Sequence, residues 1–192
     1  MLSHIPVILL TGSSSSENRL KGLHGGADDY LSKPFDNEVL MARVANLIAI
    51  RNNLRSYFYN EITLQKNDIT VSAEYRDFLA KCIRVVEQSM MDPDFGTKQL
   101  CAEMGMSHSN LFRKVKSISG YSISNFMRYI KLRKAAELLI NTDSNINEVA
   151  TICGFSSMRY FRTQFAALFG SNPSDFKRRN RPVFKKGDRV LP

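Results

Sequence analysis

The chain has 192 residues, of which 43% are hydrophobic, enough to bury a core in one large or two small domains. No apolar run approaches the roughly 20 residues that a membrane-spanning helix needs, and no basic leader precedes an apolar stretch as in a signal peptide, so the expectation is a cytoplasmic protein without membrane contact. The formal net charge of +9 is uneven: the first 72 residues carry seven basic and seven acidic side chains, the remaining 120 carry twenty and eleven. A neutral front and a basic back are expected where only one domain meets a polyanion, and a solvated basic surface or attraction to anionic lipid are the plainer alternatives.

From the N-terminus, Ile5 to Thr11 (IPVILLT) is a continuous apolar run with β-branched residues. It predicts a strand buried on both faces, as in a parallel sheet. The serines at 13–16 read as a loop, and ENRLKGLHGGA as a short helix stopped by Gly25-Gly26. Asp29 to Ser32 (DYLS) predicts a second strand, ended by Lys33-Pro34-Phe35. Asp36 caps a helix expected to reach about Ile50 and to bury Val39, Leu40, Val44, Leu47 and Ile48. Asp28 and Asp29 read as ordinary loop carboxylates, since turns favour Asp. Strand-helix-strand-helix belongs to an α/β doubly wound fold.

These residues resemble the second half of a response-regulator receiver domain. LLTGSSS resembles the end of that family's fourth strand, and GGADDYLSKPF its fifth strand with the Lys-Pro that follows. The resemblance implies switch roles for three residues. Thr11 is the hydroxyl that hydrogen-bonds an aspartyl phosphate. Lys33, before a cis Lys33-Pro34 bond, is the cation that pairs with that phosphate. Tyr30 is the aromatic that swings inward when Thr11 moves. Chemically, a phosphoryl group gains from a hydroxyl donor and an ammonium at close range. The strands that carry the family's acidic pair and phospho-accepting Asp are missing from these ~50 residues, and Asp28 and Asp29 precede the wrong strand to replace them. The resemblance therefore implies the C-terminal piece of a longer polypeptide, in which a sensor and histidine kinase precede the receiver. Strand faces without cover favour association, so a homodimer through this region is expected.

Residues 51–72 form the junction: RNNLRSYF is compatible with an extension of the preceding helix, and ITLQKNDITVSA reads as a partly extended linker. Glu74 to Met91 predicts a helix with Phe78, Leu79, Ile83, Val86 and Met90 facing inward, stopped by Asp92-Pro93. Gln99 to Gly120 (QLCAEMGMSHSNLFRKVKSISG) then has the plan of a helix-turn-helix, and Asn145 to Gly170 (NINEVATICGFSSMRYFRTQFAALFG) repeats it. Each has a short apolar helix, a glycine suited to a left-handed turn, a serine cap and a second helix with a buried stripe. That stripe is Leu111, Val115 and Ile118 in the first copy and Phe161, Phe165 and Leu168 in the second. Ser156 or Ser157 serves as the second cap. A shift of 49 residues lays Leu100 on Val149, Gly105 on Gly154, Met106 on Phe155, Ser107 on Ser156, Phe112 on Phe161 and Arg113 on Arg162. Between the copies, 122–141 keeps helical spacing through Ile123, Phe126, Met127, Ile130, Leu138 and Leu139. Two recognition helices held apart by a stiff helix could enter successive major grooves, about 34 Å apart. Cys82, Cys101 and Cys153 lie in apolar helical patterns without metal spacing and read as reduced core residues.

Residues 74–179 resemble the AraC family of transcription regulators. The most specific part is the second copy, through Gly154-Phe155, Tyr160-Phe161, Phe165, Gly170, Pro173 and Phe176.

The candidate DNA-facing residues are His108, Ser109, Phe112, Arg113 and Lys116 in the first copy, and Met158, Arg159, Arg162 and Thr163 in the second. Arg can hold guanine O6 and N7 with two hydrogen bonds, so Arg113, Arg159 and Arg162 are the expected base readers. Ser107, Ser156 and Ser157 are expected as caps. Lys114, Lys131, Arg133 and Lys134 are expected on solvated faces, with general phosphate attraction. Phe112 either meets a thymine methyl or packs between helices. No nucleophile-base-acid set, phosphate-binding Gly loop, metal spacing or cofactor motif is present in the sequence, so a non-enzyme without metal or cofactor is expected.

The expected architecture is a partial α/β receiver at 1–51, a linker at 52–73, an all-α AraC-type domain with two helix-turn-helix motifs at 74–180, and a basic tail at 181–192. The expected function is a sequence-specific, double-stranded-DNA-binding transcription regulator at the output end of a two-component phosphorelay, with an upstream kinase and receiver portion as its partner. The alternative is a receiver-mediated interaction or dimerisation module of a signalling kinase, without DNA readout.

Overall fold

The computed structural model describes residues 5–12 and 27–180. The expected loop at 13–16, the expected short helix after it and the basic tail at 181–192 lie outside the described residues. Strands β1 (Ile8–Thr11) and β2 (Asp29–Ser32) pair in parallel, with Ile8 opposite Asp29, Leu9 opposite Tyr30 and Thr11 opposite Ser32. Tyr30 and Leu31 of β2 are buried, but Leu9 and Leu10 of β1 are 38% and 43% exposed. The expectation that IPVILLT is covered on both faces is thereby corrected. Alternate residues of a strand point to opposite faces, so exposure at both Leu9 and Leu10 leaves both faces of β1 open. Lys33-Pro34 is cis.

Helix α1 (Asn37–Thr63) is one continuous helix of 27 residues: it passes Ile50, takes in RNNLRSYF as the extension its sequence is compatible with, and ends at Thr63. Asp36 caps it, accepting from the Glu38 N–H at 2.7 Å. No Gly or Pro interrupts 37–63, so nothing breaks the ladder until Leu64 turns left-handed at φ 58°. The expected burial in its first half is corrected as well. Val39 and Ile48 are 45% and 50% exposed, and Leu40, Val44 and Leu47 are half-buried. The buried positions are Arg51, Leu54, Phe58 and Ile62, spaced three or four apart along the second half. That half meets the helical region, so α1 runs through the start of the expected linker as a packed element.

Seven further helices follow among the described residues: α2 (Ala73–Ser89), α3 (Thr97–Met104), α4 (His108–Ser119), α5 (Ile123–Asn141), α6 (Ile146–Ile152), α7 (Met158–Phe169) and α8 (Pro173–Asn180). They enclose two cores. In the first, Phe58 and Ile62 of α1 and Phe78, Leu79, Cys82 and Val86 of α2 surround the stripe of α4, with Phe126 and Ile130 of α5. In the second, Leu132, Ala136 and Leu139 of α5 meet Val149, Cys153, Phe161 and Phe165, with Met90 from the end of α2. Helix α5 thus serves one core with its first half and the other with its second. Its small Ala135 and Ala136, both fully buried, allow close approach in the second core, whose bulk comes from the contiguous rings of Phe155, Phe161, Phe165, Phe169 and Phe176. Ile83 is half-buried, while Cys82 and Val85 complete the inner face of α2. Cys82 and Cys153 are fully buried, and burial pushes both thiols up to about 12; Cys101 is half-buried. Thiols held protonated in this way are poor nucleophiles and poor metal ligands.

Candidate nucleic-acid interface

The first motif is α3, a turn at Gly105 (φ 65°) and α4. Ser107 caps α4, its hydroxyl accepting from the Asn110 N–H at 3.3 Å. Leu111, Val115 and Ile118 are buried as the spacing predicts, which turns His108 and Ser109 fully outward. Arg113 and Lys116 are half-buried on the outer side, and Arg113 donates to the Asn110 side chain at 2.6 Å. Phe112 packs against the first core and lies parallel to the His108 ring, with centroids 6.5 Å apart. Of its two expected roles, the structure shows the packing one.

The second motif is α6, a turn at Gly154 (φ 70°) and α7. Asn145 and Glu148 close a reciprocal capping box at the start of α6, with bonds of 2.9 and 2.8 Å. Ser157, not Ser156, caps α7, accepting from the Tyr160 N–H at 3.3 Å. Phe161 and Phe165 are fully buried and Leu168 half-buried. Arg159, Arg162 and Thr163 are exposed; Met158 leans on the second core. No carboxylate of the described residues hydrogen-bonds Arg159 or Arg162. Thr163 donates to the Arg159 carbonyl at 3.0 Å.

The register between the two copies needs correction. A shift of 49 holds for Leu100 on Val149 and Gly105 on Gly154. The caps Ser107 and Ser157, however, stand 50 apart, as do the terminal glycines Gly120 and Gly170. The second turn contains one extra residue. Leu111 therefore corresponds to Phe161, Phe112 to Arg162, Arg113 to Thr163 and Ser109 to Arg159; the pairings of Ser107 with Ser156, Phe112 with Phe161 and Arg113 with Arg162 do not hold. Burial decides this, because Leu111 and Val115 are buried as Phe161 and Phe165 are. One position along a helix is a rotation of about 100°, so the copies present different chemistry. The second offers two free guanidiniums; the first offers a hydroxyl and a seated ring, with Arg113 a third of a turn further round.

The four cations expected on solvated faces are also corrected. Lys114 pairs with Glu74 at 2.6 Å and lies 4.9 Å from the centroid of the Phe78 ring. The Lys114 ammonium beside Glu74 holds that carboxyl below its ordinary value. Arg133 bridges Glu87 (3.0 Å), Glu137 (2.8 Å) and the Glu61 carbonyl of α1 (3.1 Å). Lys134 joins the same two carboxylates, which raise its ammonium above the usual range against the pull of burial. Lys131 is half-buried and reaches the Met90 carbonyl at 3.4 Å. These cations hold helices together.

In the front unit, Thr11 and Lys33 meet at the C-terminal ends of the two strands, the Lys33 N–H donating to the Thr11 carbonyl at 2.7 Å. Lys33 is exposed and Tyr30 is buried. Sequence reasoning missed the role of Asp28 and Asp29, which are not simple loop carboxylates. Arg43 donates to both oxygens of Asp29 at 2.8 and 2.7 Å, and Arg51 to Asp28 at 2.8 Å. Asp28 also accepts from the Val7 N–H at 2.9 Å. Burial opposes ionisation of Asp29, but the Arg43 bonds and charge and the Tyr30 N–H outweigh it, so its carboxyl lies below the ordinary value. The available signal was spacing: two arginines eight apart share a helix face, opposite two consecutive acids.

Among the described residues, no helix is long and apolar enough to cross a membrane, and no group of three or more His, Cys, Asp or Glu could hold a metal. Two helix-turn-helix motifs mounted on one shared helix, one with unpaired arginines facing outward, define a double helix-turn-helix DNA-binding unit. The comparisons agree. A family model described as a helix-turn-helix domain matches residues 100–179. "Histidine kinase P4" of Formosa agariphila is 34% identical over 177 residues, 92% of this chain and 13% of that protein. The "Xylose operon regulatory protein" of Escherichia coli K12 is 34% identical over 85 residues, 44% of this chain and 22% of that protein. A solved AraC-type transcriptional regulator structure from Chromobacterium violaceum aligns with a TM-score of 0.52 at 23% identity, covering 58% of this chain and 99% of that one. It shows the shared fold. Residues 100–179 thus form a helix-turn-helix domain of the AraC type, and the chain spans less than a quarter of the length of the first two relatives.

Proposed function

We propose that this chain is the sequence-specific DNA-reading output end of a two-component phosphorelay in the cytoplasm, acting within a longer polypeptide that carries its kinase and the rest of its receiver. The observation that supports it most is α7: Phe161 and Phe165 lock one face into the core, and Arg159 and Arg162 stand exposed without carboxylates on the other. Arg159 and Arg162 are the base readers, each able to hold a guanine bidentately. Thr163 and Met158 flank them, and His108, Ser109, Arg113 and Lys116 meet DNA from α4, with Phe112 setting their platform. Residues 1–51 act as receiver portion and 74–180 as reading domain, and α1 runs from the first into the core of the second. Thr11, Tyr30 and Lys33 form the switch that senses a phosphoryl group carried by the preceding receiver strands. The open faces of β1, with Leu9 and Leu10 exposed, support homodimerisation through this region.

The test is selection of bound duplexes from random DNA, followed by titration at several salt concentrations. A shared motif with two half-sites about one helical turn apart, bound with steep salt dependence, is expected. Weak binding equal on all duplexes would refute DNA readout and leave an interaction module. Light scattering at micromolar concentration checks the dimer; a monomer there would remove that part of the proposal.

A further inference from the structure

We propose that the notch between the two motifs is a phosphate site, which grips the DNA backbone where it passes from one recognition helix to the other. This rests on the DNA-reading function above. The notch is a cavity of about 350 Å³ lined from both motifs. Thr97 of α3 enters from the first motif, Ser156 and Tyr160 from the second, and Asn125, Arg128 and Lys131 from the shared helix α5. Among the described residues, no Asp or Glu lines it.

Arg128 is the centre of the argument. Arg43, Arg51 and Arg133 all end on carboxylates, whereas Arg128 ends on a phenol: its Nη1 donates to the Tyr160 hydroxyl at 2.7 Å. Its guanidinium lies 5.5 Å from the Tyr129 ring centroid and 6.0 Å from that of Tyr160. Its Nε is buried with no hydrogen-bond partner. A planar donor fork held by rings and ending on a neutral phenol leaves its charge without an anion among the described residues, which suits it to an oxyanion from outside. Lys131 stands on the same side of α5, with one long bond to a carbonyl, and burial holds its ammonium below the usual value. Both cations line the recess, and a phosphate entering it would accept from both. Hydroxyls of Thr97, Ser156 and Tyr160 supply further donors.

The ligand chemistry is a phosphate oxyanion, and either a DNA phosphodiester or free inorganic phosphate could supply it. The notch draws on both motifs at once, so a ligand there fixes their spacing. That favours the polyanion both recognition helices share. A phosphate contact adds affinity without sequence information, so the site tunes the register of the two motifs and leaves base choice to Arg159 and Arg162.

The test uses the full chain and a selected duplex in which single neutral methylphosphonate linkages replace phosphates along the segment between half-sites. One or two linkages should weaken wild-type binding several-fold. Arg128→Gln should weaken all duplexes by a common factor, lower the log–log salt slope by about 0.9, and lose sensitivity to those linkages; Arg128→Lys should recover the slope. A flat methylphosphonate scan on wild-type protein overturns the proposal, whatever the variants do. So does an unchanged slope in a folded Arg128→Gln. Thermal stabilisation of wild-type but not Arg128→Gln by inorganic phosphate, with a flat scan, assigns the notch to the free ion and overturns it too. If wild-type protein selects no duplex, the DNA-reading function itself fails; if it selects normally and the scan is flat, only this inference fails.

Discussion

Gly154 lies so close to Met90 that a Cβ on the glycine would collide with the Met90 carbonyl oxygen. Met90 ends α2 and buries its side chain in the second core. Its carbonyl also receives Lys131 at 3.4 Å. The turn of the second motif is therefore the dock onto which the end of α2 closes, linking the two halves of the reading domain.

Gly154→Ala should cost about 3 kcal/mol or more, because left-handed strain adds to the collision. Gly105 and Gly170 have similar φ values, 65° and 68°, with open space where a Cβ would go. Alanine there should cost only the strain, about 1 kcal/mol. Urea midpoints of the three variants test the ranking; equal losses would show that Met90 yields easily.

Arg162→Ala should cost about 1–3 kcal/mol on a matched operator and relax preference at one base pair. Phe112→Ala occupies the equivalent position in the first motif but should act mainly on stability, by roughly 1–3 kcal/mol, since the ring leans on the first core. Binding curves on matched and single-mismatch duplexes, set beside melting curves, separate the two. A Phe112→Ala that melts normally but loses selectivity would show base contact instead.

Asp29 has a folded-state carboxyl below its ordinary 3.8. Its pairing with Arg43 therefore contributes stability fully above that value, and the contribution fades as pH falls through 3.8 toward the folded value. Protection of the β2 amides, taken relative to intrinsic exchange at each pH, should fall over that acid range in wild-type protein more steeply than in Asp29→Asn. At neutral pH the variant should already exchange faster, by a factor corresponding to about 0.2–1 kcal/mol. Identical profiles would mean that Arg43 does not hold the strand.

Arg133 ties three elements together, through Glu61 of α1, Glu87 of α2 and Glu137 of α5. Arg133→Met leaves Glu87 and Glu137 with Lys134 as their remaining cation and the Glu61 carbonyl without its donor, and should destabilise by about 1–3 kcal/mol. A double-mutant cycle with Glu87→Gln should show clear coupling, because the partners are less than a quarter exposed. Additive losses would place both residues in independent roles.

Local pattern carried much of the molecule. Leu111, Val115 and Ile118 were legible because a buried stripe must recur every three or four residues, and the capping serines and turn glycines obey local backbone chemistry. The equivalence of Arg113 with Arg162 was misread because a shared Phe-Arg pair mimics homology of position. The buried stripes, which begin at Leu111 and Phe161 and so stand 50 apart, carry the correct register. The sequence predicts helix α1 to about Ile50, with RNNLRSYF only an open extension, because its apolar positions shift faces midway. The first half meets a narrow two-stranded sheet and the second half a full helical core, and no local signal announces that change of neighbour.

The order of residues alone determined the element types, the doubled motif, the concentration of positive charge in the second half and the buried stripes, all of which follow from nearest-neighbour geometry and composition. Tertiary contact decided which cations are spent on carboxylates (Arg43, Arg51, Lys114, Arg133) and which remain without one (Arg128, Arg159, Arg162). The pairing of a charge depends on what distant segment packs beside it, and 46 residues separate Arg133 from Glu87.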